Sequence, residues 1–298
     1  MVFTLARPNK FQIMDLYNKE IITALSAENN FSLKKTQIEK IFTENRDAWK
    51  LPRNTSRTEF IEHLITKKVL ATISFGPKSR TETRYIFKNR DIKTDILALN
   101  LYSNSYLSHY SAVAFHDLTD EIVKSIYVTH EQTPKKTDDK IKDIQQDDIT
   151  TAFSKPMRFT KNSLDYNNQT IYFLNGQYTD KLGVIQRQDL YVTDLERTLI
   201  DITVRPQYSG GIYEVLEVYK KAREQVSVNR IAAYLRKMNF KFPYHQSIGF
   251  LLEKANYKEK VLSTFENKFP ITSDFYMTYD MKDKNFSEKW RLYYPKHL

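Results

Sequence analysis

The stretch of residues 54–87, NTSRTEFIEHLITKKVLATISFGPKSRTETRYIF, changes its apolar period part-way and so fixes two kinds of element and their order. Phe60, Ile61, Leu64 and Ile65 share one face at helical spacing, behind a run of helix-capping residue types in which Thr55 or Ser56 can cap. Arg57, Thr58, His63 and Lys67 fall largely on the other side. "VLATISF" and "TRYIF" then alternate β-branched and aromatic residues about "GPKSRTE", which reads as a hairpin. Upstream, Ile13, Leu16, Tyr17, Ile21 and Leu25 form one helical stripe over residues 10–28. Ile38, Ile41 and Phe42 form another over 32–44 behind a Ser32 cap, and Trp49 and Leu51 read as plugs into a small core. Three helices followed by strand, turn and strand is the order of a winged helix-turn-helix. The long link between the second and third helices departs from the tight form.

Charge follows this organisation. The chain of 298 residues carries a net +10. Residues 1–90 hold 17 Lys/Arg against 9 Asp/Glu, whereas residues 91–298 hold 29 against 27. A basic module of residues 1–90 joined near "NRDIKTD" to a near-neutral one of 91–298 suits a polyanion partner for the first, although a solvated basic surface would carry the same charge. Cysteine is absent, which excludes disulfides, Cys nucleophiles and zinc fingers and fits a reducing cytoplasm. The N-terminal residues do not read as a signal peptide, and no apolar run is long enough to span a membrane.

After residue 90 the pattern is mixed. "SHYSAVAFHDL" reads as a helix and "SIYVTH" as a strand, and residues 131–150 read as an exposed polar loop or ragged hairpin. Strands are expected at "TIYFLN", "GVIQRQ" and "LYVT", then a mostly helical end from "TDLERTLIDIT", closed by a strand pair at "SDFYMTYD" and "WRLYYPK". The fold class expected is therefore α+β: an N-terminal winged helix followed by a larger mixed α/β domain with a helical C-terminal part.

Duplex DNA presents a dense row of phosphates, and a helix N-terminus offers free N–H donors to one. Arg53, Asn54, Thr55, Ser56 and Arg57 are the residue types such a site would use. Arg57 can reach a guanine edge and Asn54 an adenine if this helix start enters the major groove. Lys67, and Lys78, Arg80 and Arg84 on the hairpin, suit backbone or minor-groove contact. An ordinary capped helix beside a solvated turn would look the same.

Three further blocks, "YLSHYSAVAFHDLTDE" (106–121), "LYVTDLERTLIDITVRPQYSGGIYEVL" (190–216) and "SIGFLLEK" (247–254), resemble the AbiEi-type antitoxins of type IV, abortive-infection toxin–antitoxin systems. The resemblance implies a winged helix that binds inverted repeats in double-stranded DNA upstream of its own operon and represses it. It also implies a C-terminal domain that counters a nucleotidyltransferase-like toxin, with no stable complex required, no cofactor and no catalysis. The chain would act as a monomer or weak dimer. Thr193, Asp194, Glu196, Arg197 and Asp201 carry the most specific block. They also have an architectural reading: Thr193 and Glu196 as a capping box, Arg197 and Asp201 as a pair four residues apart, and Leu195, Leu199 and Ile202 as a buried face. Two other readings stay open. Asp194, Glu196 and Asp201 would form a nuclease centre if they converged on one metal, and an apolar patch on the second domain would serve as a toxin-gripping module. His109 and His116, seven apart, lack the companions of a zinc site.

Overall fold

A computed structural model of the chain describes residues 7–27, 31–76, 81–88, 90–134 and 144–298, which form two compact units, Met1–Tyr102 and Ser103–Leu298. The first holds α1 (Lys10–Leu16), α2 (Asn18–Ser26), β1 (Ser32–Leu33), α3 (Lys35–Asn45), α4 (Arg57–Thr66), β2 (Leu70–Phe75), β3 (Glu82–Phe87) and α5 (Thr94–Leu101). Its sheet is antiparallel in the order β1-β3-β2. The first unit thus runs beyond the boundary expected near residue 90 and takes in α5.

Three local expectations change. The single helix over 10–28 breaks at Tyr17, whose ψ of 16° leaves the helical range, and Leu16 is left 71% exposed while Met14 turns into the core. Ser32 caps nothing: it sits in β1 and its hydroxyl donates to the Asn100 carbonyl at 3.1 Å. α3 starts instead at Lys35, where the Gln37 side chain accepts from the Lys34 N–H at 2.7 Å. Trp49 and Leu51 do plug the core, with Trp49 stacked on Phe60 at 5.7 Å and Phe42 tilted against the same ring at 4.9 Å.

The second unit begins with β4 (Ser105–Leu107), α6 (His109–Phe115) and β5 (Ser125–Glu131). α7 (Gln146–Phe153), β6 (Ser163–Tyr166), β7 (Gln169–Gly176), β8 (Val184–Arg187), β9 (Leu190–Thr193) and α8 (Leu195–Val204) follow. A 3-10 turn at Pro206–Tyr208 leads to α9 (Ile212–Ala222), α10 (Val228–Met238), α11 (Tyr244–Lys254) and α12 (Glu259–Glu266). β10 (Phe275–Tyr276), β11 (Lys284–Ser287) and β12 (Leu292–Pro295) close the unit as a small sheet in the order β10-β12-β11. The main sheet runs β6-β7-β5-β4-β9-β8, with parallel pairs at β5–β7 and β4–β9 and antiparallel pairs elsewhere. The class is therefore α+β. Within residues 131–150, expected as a loop, 135–143 lie outside the described residues, and the end belongs to α7, which buries Ile149 and Phe153.

α8 is the hub of this unit. It packs against α6, α9, α10, α11 and β9, and every residue from Glu196 to Thr203 is buried. Leu199, Ile200 and Ile202 meet the buried faces of α9 and α10, which include Val215, Tyr219, Ile231 and Leu235. A helix so enclosed that still carries Glu196, Arg197 and Asp201 must supply each charge with a partner, because an unpaired buried charge costs several kcal/mol.

Candidate functional site

The entrance of α4 is built by a turn and a cap. Pro52 begins a turn closed by the Thr55 N–H on the Pro52 carbonyl at 3.0 Å, which places Arg53 and Asn54 at its exposed tip. Ser56 is the N-cap: its hydroxyl accepts from the Glu59 N–H at 3.2 Å, and the Glu59 carboxylate accepts from the Ser56 N–H at 2.9 Å. Glu59 also pairs with Lys10. The Lys10 ammonium first, and then the Ser56 donors, bring its carboxyl down to about 2. Arg57 is exposed on the first turn, and neither it nor Arg53 forms an ion pair among the described residues. The opposite face, Phe60, Ile61 and Leu64, is buried in the first unit's core. The helix end that faces solvent therefore carries Arg53, Asn54, Ser56 and Arg57, with the positive end of the helix dipole and two guanidinium groups that form no ion pair among the described residues.

Three expected contacts, and one residue expected to face outward, fall elsewhere. Thr55 is buried at 3% exposure and cannot reach a ligand. Lys67 is half-exposed but spends its charge on Asp15 at 2.8 Å. Lys67, and then His63 at 3.0 Å, hold the Asp15 carboxyl below its usual range. His63 itself is packed rather than outward, stacked on Phe11 at 5.6 Å. Arg84 is buried: it pairs with Glu82 at 2.9 Å, donates to the Leu101 carbonyl at 3.3 Å and lies over the Phe75 ring at 5.5 Å. It braces β3 against α5 and is corrected from a phosphate contact to a structural residue. Lys78 and Arg80 lie outside the described residues.

In the second unit the motif residues converge on one buried network. Arg197 donates from Nε to Asp201 at 2.8 Å, from Nη1 to the Leu182 carbonyl at 2.7 Å and to Thr179 Oγ1 at 3.1 Å, and from Nη2 to the Tyr106 hydroxyl at 3.3 Å. Four of five guanidinium donors are thus used. Glu131, at the end of β5, completes the network by accepting from the Tyr106 hydroxyl at 3.1 Å, the Thr179 N–H at 2.9 Å and the Lys181 N–H at 3.2 Å. Although burial opposes its charge, the Asp201 carboxylate at hand raises the Arg197 pKa further. Burial pushes Asp201 up while Arg197 pulls it back.

The expected capping box moves by one residue. Asp194, not Thr193, is the N-cap of α8, accepting from the Arg197 N–H at 2.8 Å and from the Tyr234 hydroxyl at 2.7 Å. Thr193 is buried, its hydroxyl on Thr198 Oγ1 at 2.8 Å and its carbonyl on His116 Nε2 at 2.7 Å. Glu196 reaches across to α10, accepting from the Ser227 N–H at 2.8 Å and pairing with Arg230 at 3.2 Å. The three carboxylates therefore serve three different sets of partners, and no group of three or more metal-ligating side chains occurs among the described residues.

No protein-family model matches the chain, and no curated protein matches it. The crystal structure of the Rv2827c protein from Mycobacterium tuberculosis is similar to it with a TM-score of 0.59, 11% identity, and coverage of 93% of this chain and 91% of that one. At that identity the likeness is one of fold alone. Among the described residues no helix is long and apolar enough to cross a membrane.

Proposed function

We propose that this chain is an AbiEi-type antitoxin and autorepressor. Its first unit would bind inverted repeats in double-stranded DNA upstream of its own operon. Its second unit would counter a nucleotidyltransferase-like toxin, without catalysis of its own and without an obligatory complex.

One observation carries the DNA-binding part. The start of α4 presents Arg53, Asn54, Ser56 and Arg57 to solvent, with both guanidinium groups free of ion pairs among the described residues and the rest of the helix anchored in a core. Helices α3 and α4 and the paired strands β2 and β3 would be the parts of a winged helix, with α4 as its recognition helix. A guanidinium on the first turn suits a guanine edge or a phosphate. The antitoxin part has support from the joining of the three resembling blocks. β4 pairs with β9, Tyr106 meets Arg197, and α11 packs on α8.

The test is fluorescence anisotropy of a labelled duplex from upstream of the gene against a shuffled duplex, with salt varied. Tight binding to the upstream duplex alone, falling steeply as salt rises, is the expected result. Equal weak binding to both duplexes would overturn the repressor reading.

A further inference from the structure

The second unit contains a cleft of about 770 Å³, the size of a small-ligand site. Its walls are residues 155–160 after α7, the end of β7, the C-terminal end of α8 with the turn after it, and the α10–α11 connection. Lys155, Arg158, Arg197, Arg205 and Lys241 line it, against one carboxylate, Asp201, which is spent on Arg197. Lys155, Arg158, Arg205 and Lys241 form no ion pair among the described residues. Over residues 91–298 basic and acidic side chains nearly balance, 29 against 27, whereas the cleft is lined by five basic side chains and one acidic. Cations gathered on a concave wall raise the local concentration of anions.

A second, independent observation is His109. It is 95% buried from solvent yet lines the cleft, and it holds a φ of 51°, a left-handed conformation that costs a side-chain-bearing residue about 1 kcal/mol or more. Its Nδ1 meets the Ser108 hydroxyl at 2.9 Å and its ring lies edge-on to Tyr208 at 5.7 Å. Nε2 has no hydrogen-bond partner among the described residues. Burial first, and then Arg205 and Arg197, keep the imidazole neutral. Ser108 Oγ also lies 2.6 Å from Thr129 Oγ1, and in the tautomer in which Ser108 donates to Nδ1 the neutral ring carries its proton on Nε2. Two features ask for more than a bare anion. Gln207 lines the cleft with its Oε1 buried and without a partner among the described residues, and the Phe159 ring, edge-on to Tyr208 at 5.5 Å, is 61% exposed.

We propose that this cleft binds a nucleoside triphosphate. The phosphates would lie on Arg158, Arg205, Lys155 and Lys241 with the His109 Nε2–H directed at a phosphate oxygen, and the base would stack on Phe159 within reach of Gln207. This goes beyond the repressor reading and does not rest on it. A flat ring and a buried amide acceptor suit a nucleoside, and several unpaired cations suit a polyphosphate tail.

Isothermal titration of the full chain with each of the four common ribonucleoside triphosphates, with tripolyphosphate and with a short single-stranded oligonucleotide tests it. At least one nucleoside triphosphate should bind with one-to-one stoichiometry and at least about tenfold tighter than tripolyphosphate. Arg158→Glu/Lys241→Glu, at two exposed positions, should weaken it at least about tenfold with Tm unchanged and operator binding intact. Phe159→Ala should weaken the nucleotide but not tripolyphosphate. The proposal is overturned by no binding of any triphosphate, by equal affinity for tripolyphosphate, by tighter binding of the single strand, or by an unaffected double variant. A chain that binds nucleotide but no operator would sink the repressor reading alone.

Discussion

Arg197→Met removes the guanidinium at the centre of the second unit and keeps most of its apolar volume. It strands Asp201 and the Leu182 carbonyl, and it takes one partner each from Thr179 Oγ1 and the Tyr106 hydroxyl, which keep Glu131. Breaking a buried ion pair from one side costs about 3–5 kcal/mol, because the remaining charge stays buried. A unit of this size loses about 2–4 °C of Tm per kcal/mol, so Tm should fall by about 6–20 °C. The two tryptophans make the assay specific: Trp49 is in the first unit's core and Trp290 in the second's. The Trp290 transition should move and the Trp49 transition should stay. Without Arg197, Asp201 must take up a proton to remain buried, and its folded pKa rises further above the unfolded value of 3.8. A raised carboxyl pKa gives stability that is present below the unfolded pKa and lost as pH rises, so the penalty of the variant should shrink on acidification toward pH 4. Arg197→Met/Asp201→Leu should cost less than the sum of its single changes by at least about 1 kcal/mol. A single variant costing under about 1 kcal/mol, or additive costs, would refute the claim that this block is held by one coupled network.

Other outcomes follow from the same contacts. Arg57→Ala should lower operator affinity by about 1–3 kcal/mol in anisotropy with Tm unchanged, and Arg84→Ala should instead lower the first unit's Tm, because its guanidinium is buried against Glu82 and Leu101. Leu64→Ala should cost the first unit about 2–5 kcal/mol in denaturant unfolding followed at Trp49. Gly249→Ala should destabilise the second unit by about 1–3 kcal/mol and shift Trp290 emission, since a Cβ there would come within 2.1 Å of the Trp290 ring. His245, between Phe269 and the Pro270 carbonyl, is depressed by burial to about 4 from 6.5. Its folded state holds the neutral ring, so this stability is present above pH 6.5 and lost as pH falls toward 4. His245→Gln should flatten the acid loss of Tm across that window, and an unchanged pH profile would refute the assignment.

How much of this was legible depends on whether the deciding partner is near in sequence. α4 was readable because its cap and most of its apolar face lie within one window of residues, although Ile65, expected on that face, is 36% exposed. The Arg197–Asp201 pair was readable because four residues bring two side chains together on any helix. The network around them was not. Glu131 lies on β5 and Tyr106 on β4, and only the pairing of β4 with β5 and β9 brings them to α8. Thr193 and Asp194 are equally good caps in isolation, and the choice falls to Asp194 because β9 keeps Thr193, whose carbonyl is already bonded to His116. α7 was hidden because its apolar face is only Ile149 and Phe153, at the end of a charged run. Arg84 is different, because half the answer was in the strand. Residues two apart share a face, and Ile86 is a core residue, so alternation alone puts Arg84 inside with it. What alternation could not supply is the carbonyl that makes a buried guanidinium tolerable. That carbonyl belongs to Leu101 at the end of α5, a helix that the charge balance had assigned to the following domain.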